Sequence, residues 1–359
     1  MRITVLGGGN GSYAAAADLA GLGHDVTLWR RDRQALQAVL ATRRLTLKDV
    51  SGVRDVILSR VTADIGKAVR GAELIVVPTP AFAQEDIARA LAPHLADGQV
   101  IFLPPGTFGS YAMMRVLRRA GCRAGVSIAE TGTLPWLARK HGPAEVAITI
   151  RATRLPTGVF PARNGAQAFA VLRGAFPSVE PVEDALAGAL MNAGPIIHPP
   201  LIVMNAGPLE HFDTWDIHSE GTQPSIRRVT DALDSERIAI RKGLGYGGEH
   251  FPLSDHYNSD RWMYGDAHKR LVDSGDWREH IVLTQHRYMT EDVHYGLAFL
   301  ASVADWAGVP APLATGLLSI ASAICGMDLR QGRRTLEALG LADLTRENMA
   351  ALLAEGEIR

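Results

Sequence analysis

His198 is the side chain best suited to moving a proton near neutral pH, and it lies in Asn192-Ala193-Gly194-Pro195-Ile196-Ile197-His198-Pro199-Pro200, an apolar stretch punctuated by prolines. An imidazole serves as a general acid or base only when a partner fixes its tautomer and sustains its cation. Without such a partner, a histidine in this setting is a satisfied core residue. The candidate partner is Asp292, in Arg287-Tyr288-Met289-Thr290-Glu291-Asp292-Val293 at the start of another helix. Sequence pattern alone does not bring the two together.

A second segment with chemical potential opens the chain. Ile3-Thr4-Val5-Leu6-Gly7-Gly8-Gly9-Asn10-Gly11-Ser12 sets a short β-branched strand directly against a glycine turn. A dinucleotide's pyrophosphate needs such a tight turn, close backbone approach and the open amides of a helix N-terminus. Gly7 and Gly9 fit the first two positions of G-x-G-x-x-G/A, Ser12 stands at the third, and Asn10 and Gly11 lie between them. No Gly-Lys-Ser/Thr follows, which excludes a Walker A loop. At the end of the next strand, where NAD-binding chains place an acidic residue, stand Arg30-Arg31 followed by Asp32. Guanidinium groups there favour the 2′-phosphate of NADP, while Asp32 on the ribose would suit NAD.

The elements that must position these residues alternate. Helix Ser12 to Leu22, strand Asp25 to Trp29, strand-like Val56 to Leu58, strand Glu73 to Val77, helix Ala83 to Leu95 and strand Val100 to Leu103 predict a mostly parallel sheet covered by helices. Ser127 to Glu130, Glu145 to Arg151, helix Ala166 to Phe176 and Val179 to Val182 continue that pattern. The loops at Gly7 to Gly11, Pro78 to Phe82 and Pro104 to Gly109 are expected to converge beyond the strand ends, with Pro78 bordering the cofactor. From about Asp184, helical periods dominate: Ile226 to Gly243, Thr290 to Ala307, Ala311 to Gly326 and Thr335 to Leu341. The expected fold is thus an α/β Rossmann-type dinucleotide-binding domain over 1–182 followed by an all-helical substrate domain over 183–359, the two sharing a cleft.

A chain of 359 residues with 47% hydrophobic composition can support two cores. Lys+Arg number 37 and Asp+Glu 38, a formal net charge of −1, so no global field attracts nucleic acid or an anionic membrane. Cys122 and Cys325 form no C-x-x-C pair and no signal-like segment opens the sequence, so free thiols and a cytoplasmic location are expected. The most apolar stretch, Ala189 to Gly207, is interrupted by Asn192, His198, prolines and Asn205 and reads as buried helix. His211 to His218 carries nitrogen and oxygen donors but no H-E-x-x-H spacing, so no metal is expected.

Taken in order, Gly7 to Gly11, Asn192 to Pro199, Pro224-Ser225, Asp234 to Ile240, Arg287-Tyr288 with Glu291-Asp292-Val293, and Gly332 to Gly340 resemble the octopine/nopaline (opine) dehydrogenase family along nearly the whole chain. The resemblance implies reductive joining of an amino acid's amine to a 2-oxo acid, commonly pyruvate, with a reduced nicotinamide cofactor, in a homodimer. It also implies that His198 is the catalytic histidine, Asp292 its support and Arg287 the ligand of a substrate carboxylate. A protonated His198 would then polarise a carbonyl or help expel water as the imine forms. Glu130-Thr131 is expected either to border the nicotinamide or to cap a helix. Asn192 and Asn205 are expected to face the cleft or tie helices together, and the Arg330 to Arg334 group to meet a partner, to anchor the C-terminal helices or to form a solvated charge cluster. Competing readings are an NAD(P)-dependent 2-hydroxy-acid or alcohol dehydrogenase and a non-catalytic cofactor-binding regulator.

Overall fold

Short β-branched runs alternating with helices build an open sheet in the first part of the chain. The computed structural model describes residues 1–255 and 280–357. It divides into two compact units, one comprising Met1–Gly188 with Leu352–Glu357 and the other Ala189–Ala351. The division thus lies a few residues past the expected 182/183. The last turn of helix Arg346–Glu355 belongs to the first unit, where Arg163 Nη1 meets Glu355 Oε2 at 3.0 Å.

Twelve strands form in the first unit: β1 (Arg2–Leu6), β2 (Asp25–Trp29), β3 (Arg44–Asp49), β4 (Gly52–Ile57), β5 (Arg60–Thr62), β6 (Leu74–Val76), β7 (Val100–Leu103), β8 (Ser127–Thr131), β9 (Trp136–Lys140), β10 (Glu145–Arg151), β11 (Leu155–Phe160) and β12 (Val179–Pro181). Eight of them pair in the order β5-β2-β1-β6-β7-β8-β11-β12, parallel except where β11 meets β8. The chain proceeds from β1 through β2 to β5, then resumes on the other side of β1 with β6. A ligand crevice opens at such a reversal, beyond the carboxyl ends of the strands. Here that position falls at the turns following β1 and β6.

Four strands depart from the expected single sheet. β4, β3, β10 and β9 pair in that order as a second sheet, so Val56-Ile57 and Glu145–Arg151 do not extend the first one. The reason lies in helix Asn10–Gly21, whose residues Gly11 to Leu19 are all buried. A helix enclosed on every side needs small side chains, and Ala14 to Ala17 supply them. Leu45, Leu47, Trp136, Val146 and Ile148 of the second sheet share one apolar core with those alanines and with Val5 and Val26 of the first sheet.

A polar network fastens the small sheet to this helix. Asp18 accepts from Trp136 Nε1 at 2.6 Å, and Arg151 Nη2 bridges Asp18 Oδ1 at 2.6 Å and Asp49 Oδ2 at 2.7 Å. Arg54, followed by Arg151, holds the Asp49 carboxyl well below the usual carboxylate range against the opposing effect of burial.

In the second unit, the principal helices are Gly194–Met204, Pro224–Gly243, Ala298–Ala307 and Pro312–Cys325. The expected helix Thr290 to Ala307 is instead a π-helical segment, Tyr288–Leu297, running directly into Ala298–Ala307. Ala185–Met204 is long and apolar enough to cross a membrane by length and composition, despite the interruptions seen in its sequence, and 94% of that window is buried in the protein. Two residues of the Asp234 to Ile240 motif act as scaffold. Glu236 accepts from Leu313 N at 2.7 Å and Ala314 N at 2.9 Å, capping helix Pro312–Cys325. Buried Arg237 pairs with Asp234 at 2.7 Å and donates to the carbonyls of Leu190 and His250.

Replacing Asp18 by Ala leaves Trp136 Nε1 and Arg151 short of a partner at a partly buried site. The expected cost is about 2 kcal/mol, read as a lower urea midpoint. An unchanged midpoint would mean that the network contributes nothing to holding the small sheet.

Candidate active site

His198 lies in helix Gly194–Met204, which begins with Pro195 where no N–H is needed and carries Pro199 and Pro200 in the turn after the imidazole. The facing element is the π-helical segment, whose wider turns occur often at functional sites. Two glycines allow the pair to come close. A Cβ at residue 194 would stand 2.1 Å from Asp292 Oδ1, and one at residue 296 would stand 2.2 Å from Pro195 Cγ.

The result is a hydrogen bond between His198 Nδ1 and Asp292 Oδ2 at 2.7 Å, with each residue only 6% exposed. The structure therefore brings together the two residues that spacing could not join. A carboxylate on Nδ1 fixes the proton on that nitrogen and leaves Nε2 with its lone pair. Tyr288 stacks on the imidazole, with ring centroids 3.7 Å apart and planes 11° apart. Its hydroxyl lies 2.7 Å from His218 Nε2, and His286 meets its edge at 4.4 Å. Arg287 is exposed, with its guanidinium carbon 5.6 Å from the Tyr288 ring centre.

Opposing electrostatic effects act on this imidazole. Burial pushes the His198 pKa below the ordinary histidine value; the Asp292 charge and hydrogen bond oppose that push, while the nearby charges of Arg287 and His286 reinforce it. The balance favours the neutral imidazole at rest, with the Asp292 charge at hand to sustain its cation.

The glycine turn in the first unit has the features of a phosphate cradle. Gly7 has φ +128° and leaves room for Ser12 Oγ, which would stand 2.4 Å from a Cβ at that position. Gly9 opens helix Asn10–Gly21 with no side-chain cap, and nothing lies within 4 Å of where its Cβ would be. Close approach expected at the third motif position occurs at Gly11, whose Cβ would meet Leu134 at 2.8 Å and Pro78 at 3.2 Å. Ser12 Oγ and Thr79 Oγ1 are buried without a hydrogen-bond partner. Two orphaned hydroxyls and open helix amides suit the oxygens of a dinucleotide. Arg30 lies across Gly8, Arg31 is exposed, and Asp32 Oδ1 accepts from Ala35 N at 3.1 Å in a local turn. Asn10 Oδ1 accepts from Lys140 N at 3.0 Å.

Other candidates have mainly structural partners. Buried Glu130 accepts from Phe108 N at 2.7 Å and from the Ser110 hydroxyl, capping helix Gly109–Arg119, while Thr131 Oγ1 donates to Pro156 O at 2.7 Å. Asn192 Oδ1 accepts from Gly194 N at 3.0 Å, and Asn205 bonds Leu201 O, Gly221 O and Trp215 Nε1. In the C-terminal arginine group, Arg334 is buried against the Tyr295 ring and Arg330 donates to Ser319 Oγ at 2.8 Å. Sequence reasoning missed the stacked Tyr288 and its bond to His218. The aromatic residue beside Arg287 was visible, but nothing in its spacing indicated the contact.

Comparison with known proteins agrees along the chain. The family described as NAD/NADP octopine/nopaline dehydrogenase, alpha-helical domain, matches residues 181–325, and that of ketopantoate reductase PanE/ApbA matches residues 3–148. An opine dehydrogenase of Arthrobacter sp. (strain 1C) is 28% identical over 347 residues, covering 95% of each chain, and a vitopine synthase of Allorhizobium ampelinum is 25% identical over 374, again covering 95% of each. An octopine dehydrogenase solved with NADH and agmatine shares the fold at TM-score 0.74 and 19% identity, over 100% of this chain and 99% of that one. Residues 181–325 thus belong to the octopine/nopaline dehydrogenase family, and the chain, similar to these relatives over 95% of its length, is an NAD(P)-dependent oxidoreductase.

Proposed function

We propose that the protein reductively joins the amine of an amino acid to a 2-oxo acid such as pyruvate, with NADPH as the preferred reductant. The observation carrying this reading is the buried His198–Asp292 pair, an acid/base group with its tautomer fixed. A bound nicotinamide would supply the hydride for reduction of the imine carbon. Arg287 offers a planar fork to the oxo acid's carboxylate and restricts its rotation. Neutral Nε2 of His198 relieves the incoming amine of a proton, and the amine then attacks the carbonyl carbon. The same nitrogen, now protonated, gives its proton to the departing hydroxyl as water leaves. Asp292 sustains the transient imidazolium and holds the ring in place.

The NADP preference draws support from Arg30 beside the glycine turn and from the engagement of Asp32 in its own local turn. The vitopine and octopine enzymes among the relatives fit the same reaction type. Reduction of a 2-oxo acid to a hydroxy acid is the second reading, favoured by the ketopantoate reductase match over residues 3–148.

The test follows NADPH and NADH oxidation with pyruvate, glyoxylate or 2-oxoglutarate, each alone and with arginine, lysine, histidine, norvaline or taurine. Oxidation is expected only when the oxo acid and an amine are both present, with a secondary-amine product by mass. Oxidation with oxo acid alone would assign the protein to hydroxy-acid reduction. Replacing His198 by Ala is expected to lower kcat about 10²- to 10⁴-fold with little change in cofactor Kd.

Because neutral His198 starts the cycle, kcat/KM for coupling should rise with pH through a limb below the ordinary histidine value. Replacing Asp292 by Asn removes the charge that favours the cation, so that limb should move to lower pH while kcat falls. A limb moving to higher pH would contradict the assigned role.

A further inference from the structure

Lys140 ends β9 in the small sheet, far in sequence from the glycine turn. Its backbone N–H nevertheless bonds Asn10 Oδ1 at 3.0 Å, which ties the end of that strand to the first residue of helix Asn10–Gly21. The Lys140 ammonium stands 3.8 Å from the centre of the buried Tyr13 ring, on the next turn of the same helix. Arg30 reaches this place from the end of β2. Its Cδ, Nε and Cζ would stand 2.5, 2.6 and 2.8 Å from a Cβ on Gly8, and its charge bears on both the Tyr13 hydroxyl and Lys140.

Two half-buried cations therefore share the rim of the glycine turn. Burial first, and then the charge of Arg30, push the Lys140 pKa down from its ordinary value. Among the described residues no carboxylate is paired with either cation. Asp32, the nearest acid in sequence, turns to Ala35 N. Like charges held together at a partly dry site with no counter-ion repel one another unless an anion comes between them. The neighbouring fold supplies the place for that anion, since Arg30 stands where the adenosine ribose of a bound dinucleotide falls in this class of sheet.

Resting on the proposed use of NADPH, we infer that Lys140 is a cofactor-specificity residue, the second cation of a clamp that it forms with Arg30 on the adenosine 2′-phosphate. Tyr13 serves as the platform that holds the ammonium in position. The Asp18–Trp136 bond and the Asn10–Lys140 bond aim the strand that carries it.

The test measures Kd for NADPH and NADH by cofactor fluorescence in the wild type and in Lys140→Gln, Lys140→Arg and Arg30→Gln. Wild type should bind NADPH more tightly. Lys140→Gln should lose about tenfold in NADPH affinity, in line with a charge-assisted bond, and stay within about twofold for NADH. Lys140→Arg should restore most of the NADPH affinity. Equal losses for both cofactors in Lys140→Gln, or no loss for either, overturn the inference. Retained NADH binding also reports that the variant is folded. Wild type binding NADH more tightly would remove the NADP reading itself and the clamp with it, whereas an unchanged NADPH preference in Lys140→Gln removes the clamp alone.

Discussion

The chemistry assigned to this protein depends on one buried hydrogen bond, that between His198 Nδ1 and Asp292 Oδ2. Its strength and its hazard share a cause. In a poorly solvated site a charged partner is worth far more than in water, and an unpaired charge costs correspondingly more. Burial disfavours the imidazolium and Asp292 restores part of what burial removes, so the ring rests neutral yet can carry a proton briefly. Gly194, Gly296 and the wide turns of Tyr288–Leu297 are the backbone conditions that let the two side chains meet. Stacked Tyr288, held by His218, fixes the ring's face.

The first unit solves a different problem, that of presenting backbone amides to phosphate. Its alanine-rich helix is narrow enough to lie between two sheets, so the glycine turn rests on a rigid support. The same sandwich brings β9 alongside the turn, and with it a cation from a remote part of the sequence. Asp18 and Arg151 hold that arrangement through partly buried ion pairs. Orphaned hydroxyls on Ser12 and Thr79 are the kind of unsatisfied groups that a bound dinucleotide completes.

Much of the nucleotide-binding core was legible because its signals are local. The strand at Asp25–Trp29 and the helix stop at Gly23, where φ is +86°, follow from neighbouring residues alone. The small sheet was missed although β3 alternates buried Leu45 and Leu47 with more exposed positions, because it joins two hairpins, β3–β4 and β9–β10, that lie about a hundred residues apart. The π-helical stretch was read as ordinary helix, since apolar periodicity scarcely separates the two turns. Proximity of His198 and Asp292 came from family resemblance, because the two lie 94 residues apart and their meeting depends on close packing at Gly194 and Gly296.

The most direct measurement is a crystal structure with a bound secondary-amine dicarboxylate product. The account predicts the product nitrogen within about 3 Å of His198 Nε2, the Nδ1–Asp292 bond intact and a product carboxylate on Arg287. A product seated with its nitrogen away from His198, or with His198 turned from Asp292 to another partner, would contradict it.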